Sequence, residues 1–373
     1  MGKHLVLAGG GHAHMVTIAG LKKFMDAGHR LTVVGPSPYH YYSGMGPGML
    51  GGTYRPEEIR FSIKQQVEAK GGAFLEDQVQ YVIPDQKKVV LSSGAVVGYD
   101  VISFNTGSYV SKDIVGQNDG DIYPVKPIEQ LMVAKHRIQE LLSGKQAIIA
   151  IIGGGPASAE IAGNIWQIGQ RQGANLPIIR LFASHEFMSR FSRKVRILIK
   201  NILTARGIEI HENSSVRKVE TGKIILDSGV VHDADIMFLA TGVKPSSIFQ
   251  QSGLPVGPDG GLLVNRYLQS KAYPEIFGGG DCIFFEDNPL DKVGVYAVRE
   301  NPVLYHNLMA ALDGKPLKPF ETGGSYLLIF NMGGGIGVLQ KNWFTLHGKI
   351  AFCLKDYIDR KFMKRFQNIH EHT

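Results

Sequence analysis

Residues 4–14 read HLVLAGGGHAH, and this stretch decides the fold. Leu5, Val6, Leu7 and Ala8 form an apolar run of strand type, and Gly9, Gly10 and Gly11 then turn the chain sharply. Over 12–27 the apolar residues Met15, Ile18, Ala19, Leu21 and Met25 recur at helical spacing, which predicts a helix. A strand feeding a glycine turn feeding a helix is a phosphate-binding device. Backbone N–H groups of the turn approach the phosphate, and the helix N-terminus offers it partial positive charge. Such a unit opens a dinucleotide-binding βαβ fold. Two features depart from the G-x-G-x-x-G fingerprint. His14 stands at the third glycine position, and the second strand (30–34) runs into Gly35-Pro36-Ser37 without an acid to hold a ribose.

The device occurs twice. The apolar strand 147–152 leads into Gly153-Gly154-Gly155-Pro156-Ala157-Ser158 and then a helix carrying Glu160. Ser158 is small enough for close helix–strand packing. The next strand, 177–182, also ends without an acid, at Ala183-Ser184-His185. Each half then has a strand ending in Thr-Gly: Asn105-Thr106-Gly107 in the first, Ala240-Thr241-Gly242 in the second. This duplication is the signature of two nucleotide domains built alike.

Composition agrees. The 373 residues suffice for two or three domains, and 46 glycines, about 12% against a usual value of about 7%, suit many tight βα turns. With only Cys282 and Cys353, a disulfide framework is excluded and a reducing, cytoplasmic setting is favoured. No stretch reads as a signal peptide or an uncharged membrane span. The formal charge of +7 does not point to nucleic acid, because the basic residues are not spread along a groove-like pattern with interleaved aromatics but collect at 190–206 and in the C-terminal tail.

Between the motifs, 36–48 is an aromatic, glycine-rich loop with too many breakers for helix or strand. It would lie against a flat ring at the C-terminal ends of the strands. Residues 57–70 and 127–143 predict helices, and 78–91 a strand pair turning at Pro84-Asp85. Residues 96–104 read as one strand, and 117–123 as a domain boundary. On the helix near 195–203 the basic residues Arg196, Lys200 and Arg206 are expected to face solvent. Arg190, Arg193 and Lys194 follow the strand that lacks its ribose acid. A cation there can accept a 2′-phosphate, which leans toward NADPH over NADH. Gly280-Asp281, at the end of strand 276–278, heads the segment leading to a helix at 294–312. Asp281 can accept hydrogen bonds from a sugar-like hydroxyl chain or serve as a helix cap. After a strand pair around 326–340, the last helix (349–366) mixes Ile350, Leu354, Tyr357, Ile358 and Phe362 with Lys349, Lys355, Arg360, Lys361, Lys364 and Arg365. That mixture suits a helix in a membrane interface, or one packed on the core with a solvated basic face. His370 and His372 read as a tail, and no metal-ligand cluster is expected.

Taken together, the order glycine turn, Asn-Thr-Gly, second glycine turn with Pro156 and Glu160, Ala-Thr-Gly and Gly280-Asp281 resembles the pyridine nucleotide-disulfide oxidoreductase superfamily over nearly the whole chain. Within it the chain looks like the type II NADH:quinone oxidoreductases and their sulfide:quinone relatives. The nearest likeness is the branch also found fused to selenophosphate synthetase. That likeness rests on 9–14, on Tyr42-Ser43-Gly44-Met45-Gly46-Pro47-Gly48, on 294–299 and on 355–363.

The resemblance implies an α/β fold with two Rossmann-like dinucleotide-binding domains. An FAD domain (1–118 and 259–322) is split by an inserted NAD(P)H domain (119–258), and a small C-terminal α+β region follows (323–373). It implies FAD on Gly9, Gly10, Gly11, His12 and Ala13, with Ser37 replacing the missing acid. Val79, Thr106, Gly107 and Tyr296 lie nearby, and Asp281 holds the ribityl chain. It implies NAD(P)H on Gly153, Gly155, Pro156, Ala157, Ser184, Arg193 and Gly242. The helix from Gly294 would aim its N-terminus at the flavin and stabilise negative charge there. Glu300-Asn301 stands where many relatives have Gln-Gly.

Hydride transfer between two flat rings needs positioning rather than a nucleophile. The cysteine inventory lacks Cys-x-x-x-x-Cys and Cys-x-x-Cys, which argues against thiol chemistry and leaves a flat two-electron acceptor such as a quinone. Quinone reduction takes up two protons. Glu160 and Glu300 are the expected catalytic carboxylates, with His40 and Tyr42 behind them. The alternatives are a redox module serving a partner enzyme of selenium metabolism, and a sulfide- or thiol-oxidising flavoenzyme. A peripheral membrane contact and a homodimer are compatible with these readings.

Overall fold

The computed structural model describes residues 2–116, 120–173 and 175–367. The 118/119 domain limit, His370 and His372 lie outside them.

Two five-stranded parallel sheets organise the chain, and they share one strand order. In the first, Ile276–Gly278, Val101–Phe104, His4–Ala8, Arg30–Gly35 and Ala73–Glu76 lie side by side. In the second, the order is Ile122–Pro124, Ile236–Leu239, Ile148–Ile152, Ile178–Phe182 and Glu209–His211. The glycine-turn strand is central in both, between its ribose-side neighbour and the strand that ends near Thr-Gly. Such strands are buried on both faces, hence their unbroken apolar runs. Ile149 and Ile151 are fully buried, each contributing roughly 2–3 kcal/mol. The first sheet takes its last strand from beyond the whole second sheet, so the second domain is an insertion in the first. A C-terminal α+β region completes the fold: an antiparallel sheet of Leu328–Asn331, Gly337–Lys341 and Phe344–Gly348, covered by the helix Lys349–Gln367.

Several local readings are corrected. The expected helix over 12–27 is three pieces, a 3-10 turn at His12–His14 and helices Met15–Ala19 and Leu21–Asp26, broken at Gly20 where Tyr305 packs. The 36–48 loop is ordered: Tyr39–Tyr41 is a strand, and Gly46–Leu50 is a fully buried helix against Ile128 and Tyr54. The expected helix at 57–70 begins only at Ile63. Before it, Arg60–Ser62 pairs with Tyr39–Tyr41, because Phe61 is fully buried there. Residues 96–104 belong to two different sheets. The strand pair near 326–340 is a three-stranded sheet.

The basic helix Arg193–Thr204 is less solvated than expected. Arg196 pairs with Glu186 and Lys200 with Glu212. Beyond its end, Arg206 stacks on Trp166 and donates to the carbonyls of Met332 and Gly333.

Candidate functional site

At the C-terminal ends of the first sheet the strands diverge around the glycine turn, the place where open α/β sheets bind ligands. A cavity of about 510 Å³ runs from there. Gly9, Gly10, Gly11, His12, Ser37, Val79, Thr106, Gly107 and Asp281 all line it. Ala13 and Tyr296 do not, although Gly294 and Ala297 of the helix Gly294–Asp313 do. Ala13 is fully buried, and its N–H donates to Asn105 Oδ1 (3.1 Å). Tyr296 packs on Tyr326. Ser37 Oγ already accepts a bond from Tyr39 N (3.2 Å).

Asn105 ties the motifs together. Its Oδ1 holds the start of the first helix, and its Nδ2 donates to Gly279 O (2.6 Å) beside Gly280-Asp281. Gly9 has φ +94°, and a Cβ there would meet Asn105 O at 2.3 Å. Only glycine lets the two loops approach this closely.

Asp281 is not a helix cap. Lys126 Nζ (2.7 Å) and Ser108 Oγ (2.7 Å) both donate to its Oδ2, and Lys126 and these hydrogen bonds hold the carboxyl below its ordinary range despite burial. Lys126 lies just before the second domain's helix Glu129–Gly144, so the pair joins both domains at the cavity. Sequence reading missed Lys126. No local pattern marks a lysine whose partner lies far along the chain.

Glu300 is buried beneath this loop and accepts a bond from Gly280 N; burial raises its carboxyl to about 7. Below about pH 4.5 it is protonated folded or unfolded. Between about 4.5 and 7 the folded chain keeps a proton that the unfolded chain releases. Stability therefore falls as pH rises through that window, by on the order of 3 kcal/mol, and is flat above it. Glu300→Gln is expected to shrink this loss in urea titrations of the apoprotein between pH 4.5 and 7.5; an unchanged slope would refute it.

Glu160 is not among the residues lining the cavity. Its Oε1 accepts from Asn331 N (2.7 Å) of the C-terminal sheet, and desolvation, countered partly by Lys355, raises it to about 7. Lys355 Nζ donates to Gly44 O (2.8 Å) and to Asp359 Oδ2 (2.7 Å), and Tyr42 OH donates to Asp359 Oδ1 (3.1 Å). Burial raises both the Asp359 carboxyl and the Tyr42 phenol. The C-terminal helix thus presents Lys355 and Asp359 inward, while Ile350 (72% exposed), Leu354, Tyr357 (63%) and Ile358 face out. A surface helix ordinarily does the opposite with such residues, although this one also buries Ala351, Met363 and Phe366.

The second glycine turn carries the same geometry. Gly155 caps the helix Pro156–Gln172, with Ala157 in its first turn. Ser184, Arg193 and Gly242 are exposed. The backbone of Gly155 is extended (φ −96°), and a Cβ there would meet nothing within 4 Å. Packing within the chain does not demand glycine at 155, so the open space fits a ligand's close approach. The glycine-lined cavity at the first turn and this open cradle at the second fit two dinucleotides.

Residues 3–310 match the pyridine nucleotide-disulphide oxidoreductase family. The chain belongs to that family. It is an FAD-dependent, NAD(P)H-oxidising oxidoreductase, as the family is. It is 26% identical over 288 residues to ferroptosis suppressor protein 1 of Taeniopygia guttata, covering 74% of this chain and 73% of that one. It is 22% identical to the sulfide-quinone reductase of Aquifex aeolicus, covering 99% and 92%. Its fold is similar to that of NDH2 from Plasmodium falciparum, solved with NADH: TM-score 0.83, 14% identity, 99% and 98% covered. Among the described residues, no group of three or more His, Cys, Asp or Glu could hold a metal ion, and no helix is long and apolar enough to cross a membrane.

Proposed function

We propose that the chain passes electrons from NAD(P)H to a quinone. FAD would be held by the first turn, Ser37, Val79, Thr106, Gly107 and Asp281. NAD(P)H would be held by Gly153, Gly155, Pro156, Ala157, Ser184, Arg193 and Gly242. When bound, FAD supplies two-electron relay between the two substrates. The chain's own residues position both rings, exclude water and manage protons. The domain limits 1–118, 119–258, 259–322 and 323–373 belong to this reading.

The observation that carries it is the proton-holding network of Glu160, Lys355, Asp359 and Tyr42. It joins the second glycine-turn helix, the C-terminal helix and the aromatic segment beside the cavity. A carboxyl poised near 7 can take up and release protons at working pH, as quinone reduction demands. Glu300, also near 7, acts from beneath the Asp281 loop. The outward face of the C-terminal helix, with Trp343 (88% exposed) and Phe344 on the adjacent hairpin, suits contact with a membrane surface holding such a quinone. Under this reading a soluble quinone analogue reoxidises the NAD(P)H-reduced enzyme rapidly in anaerobic stopped flow. Reduction without reoxidation by any quinone would sink the acceptor assignment.

Sulfide or thiol oxidation is the second reading, favoured by the near full-length match to sulfide-quinone reductase. The thiols themselves speak against it. Cys282 is buried, points at the carbonyls of Phe104 and Gly279, and is pushed up to about 11 by burial, while Cys353 is exposed on the C-terminal helix. Replacing both by Ser abolishes activity under the second reading and spares it under the first.

Arg193, Lys194 and Ser184 are all exposed. If they hold a 2′-phosphate, Arg193→Ala raises KM for NADPH about tenfold, roughly 1.4 kcal/mol, and leaves NADH unchanged. Equal effects on both nucleotides in steady-state assays would remove that role.

A further inference from the structure

The two oxygens of Asp281 are bonded differently. Lys126 Nζ and Ser108 Oγ both donate to Oδ2, each at 2.7 Å, and Ser108 Oγ also accepts from Lys126 Nζ (3.2 Å). Among the described residues, none bonds to Oδ1. Lys126, Ser108 and Asp281 line the cavity together. The backbone under Asp281 is fixed from within the first domain: Asn105 Nδ2 donates to Gly279 O, and Glu300 accepts from Gly280 N. The side chain is not. Ser108 begins the ribbon that pairs Ser108–Tyr109 with Lys244–Pro245, where the chain passes between domains. Lys126 lies in the inserted domain, between the strand Ile122–Pro124 and the helix Glu129–Gly144.

We propose that Lys126 is a positioning residue for FAD: the inserted domain reaches into the first domain's cavity with one ammonium and holds Asp281 by Oδ2, leaving Oδ1 to accept from the hydroxyl chain of the cofactor. This deepens the assignment of FAD to the first turn and Asp281, and rests on it. It does not depend on the identity of the electron acceptor.

A plain tie between domains is the weaker account. The side chains of Lys126 and Asp281 are 26% and 11% exposed, and for a pair so enclosed the cost of desolvating both charges offsets much of their attraction. What the pair does supply is a fixed, ionised carboxylate. Burial pushes the Asp281 carboxyl up. Lys126, by charge and hydrogen bond, together with Ser108 and Lys292, brings it below its ordinary range. Lys292 is itself paired with Asp259 (2.8 Å). His12 and His40, also at the cavity wall, offer no cation. They hydrogen-bond each other (3.0 Å), burial and then Lys126 lower His12 to about 4, and burial, His12 and Lys126 lower His40 well below its ordinary value. An ammonium has three donors and no acceptor, so it can serve Asp281 and Ser108 at once.

A double-mutant cycle tests this, with FAD affinity of the full-length apoprotein read by quenching of FAD fluorescence. Lys126→Met is expected to weaken FAD binding about tenfold or more, the scale of one hydrogen bond to a charged group. Asp281→Asn should weaken it too. In the Asp281→Asn background, Lys126→Met should then add less than about threefold, because Lys126 acts through that carboxylate. Lys126→Arg keeps a cation facing the carboxylate and should recover most of the loss. Binding of NAD⁺ or NADP⁺ to Lys126→Met should be unchanged. Lys126→Met protein that binds FAD as wild type does overturns the role. So does a fully additive cycle, which would mean that Lys126 meets FAD without Asp281. Lys126→Arg no better than Lys126→Met, or loss of nicotinamide nucleotide binding together with FAD, would assign Lys126 to the fold and also overturn it. A wild-type chain that takes up no FAD would overturn the cofactor assignment itself, an outcome distinct from these.

Discussion

Gly155→Val is expected to fold, to bind FAD and to lose reduction by NAD(P)H. The extended backbone at 155 tolerates a β-branched residue, and the space around its missing Cβ is empty of protein atoms. The cost to the fold is therefore limited to a weaker helix start, about 1 kcal/mol or less. The branched side chain would instead occupy the space where a pyrophosphate must meet the N-terminus of Pro156–Gln172. Apparent KM for NAD(P)H should rise at least about 100-fold, equivalent to roughly 2.7 kcal/mol of lost binding. Gly9→Ala is the contrast, because its Cβ would collide with Asn105 O at 2.3 Å and its φ is +94°. That variant should lose FAD and stability together. A Gly155→Val protein reduced at the wild-type rate would show that the nicotinamide nucleotide docks elsewhere.

Lys355→Met is expected to be the most damaging single change in the C-terminal region. Lys355 neutralises Asp359 and moderates Glu160 in a site with little water. Removing one partner of a buried ion pair costs about 3–5 kcal/mol, because the remaining charge stays unpaired. The loss should be smaller at low pH, where Asp359 and Glu160 take protons and no buried charge is left. The double variant Lys355→Met, Asp359→Leu should recover most of the stability, since apolar groups of similar volume replace the pair. It should not recover quinone reduction, because Lys355 and Asp359, which link Glu160 and Tyr42 in the network, are gone. Urea titrations and anaerobic reoxidation measure the two effects separately. A double variant with full quinone turnover would remove the network from the mechanism.

The sequence makes the two glycine units legible because a strand, a turn and a helix contiguous in the chain are read from local spacing alone. The same holds for Asn105-Thr106-Gly107, for Gly280-Asp281 and for the terminal helix. What it hides depends on distant partners. Phe61 turns an expected helix into a strand because the aromatic cluster of Phe362 and Phe366 waits across the molecule. Glu160 is legible as a carboxylate on the second glycine-turn helix, but its partners Asn331 and Lys355 lie far along the chain. The link of Lys126 to Asp281, and of His12 to His40, also appears only when loops from separate strands converge. The inward-facing charges of the C-terminal helix make the same point. Periodicity places Lys355 and Asp359 on one face but cannot say that this face is the buried one.

Anaerobic titration of the purified, FAD-incubated protein with NADH and with NADPH tests the account most directly. One FAD per chain should remain bound, and about one equivalent of the preferred nucleotide should bleach its absorbance. A chain that stays colourless after incubation with excess FAD, or whose bound flavin neither nucleotide bleaches, would contradict it.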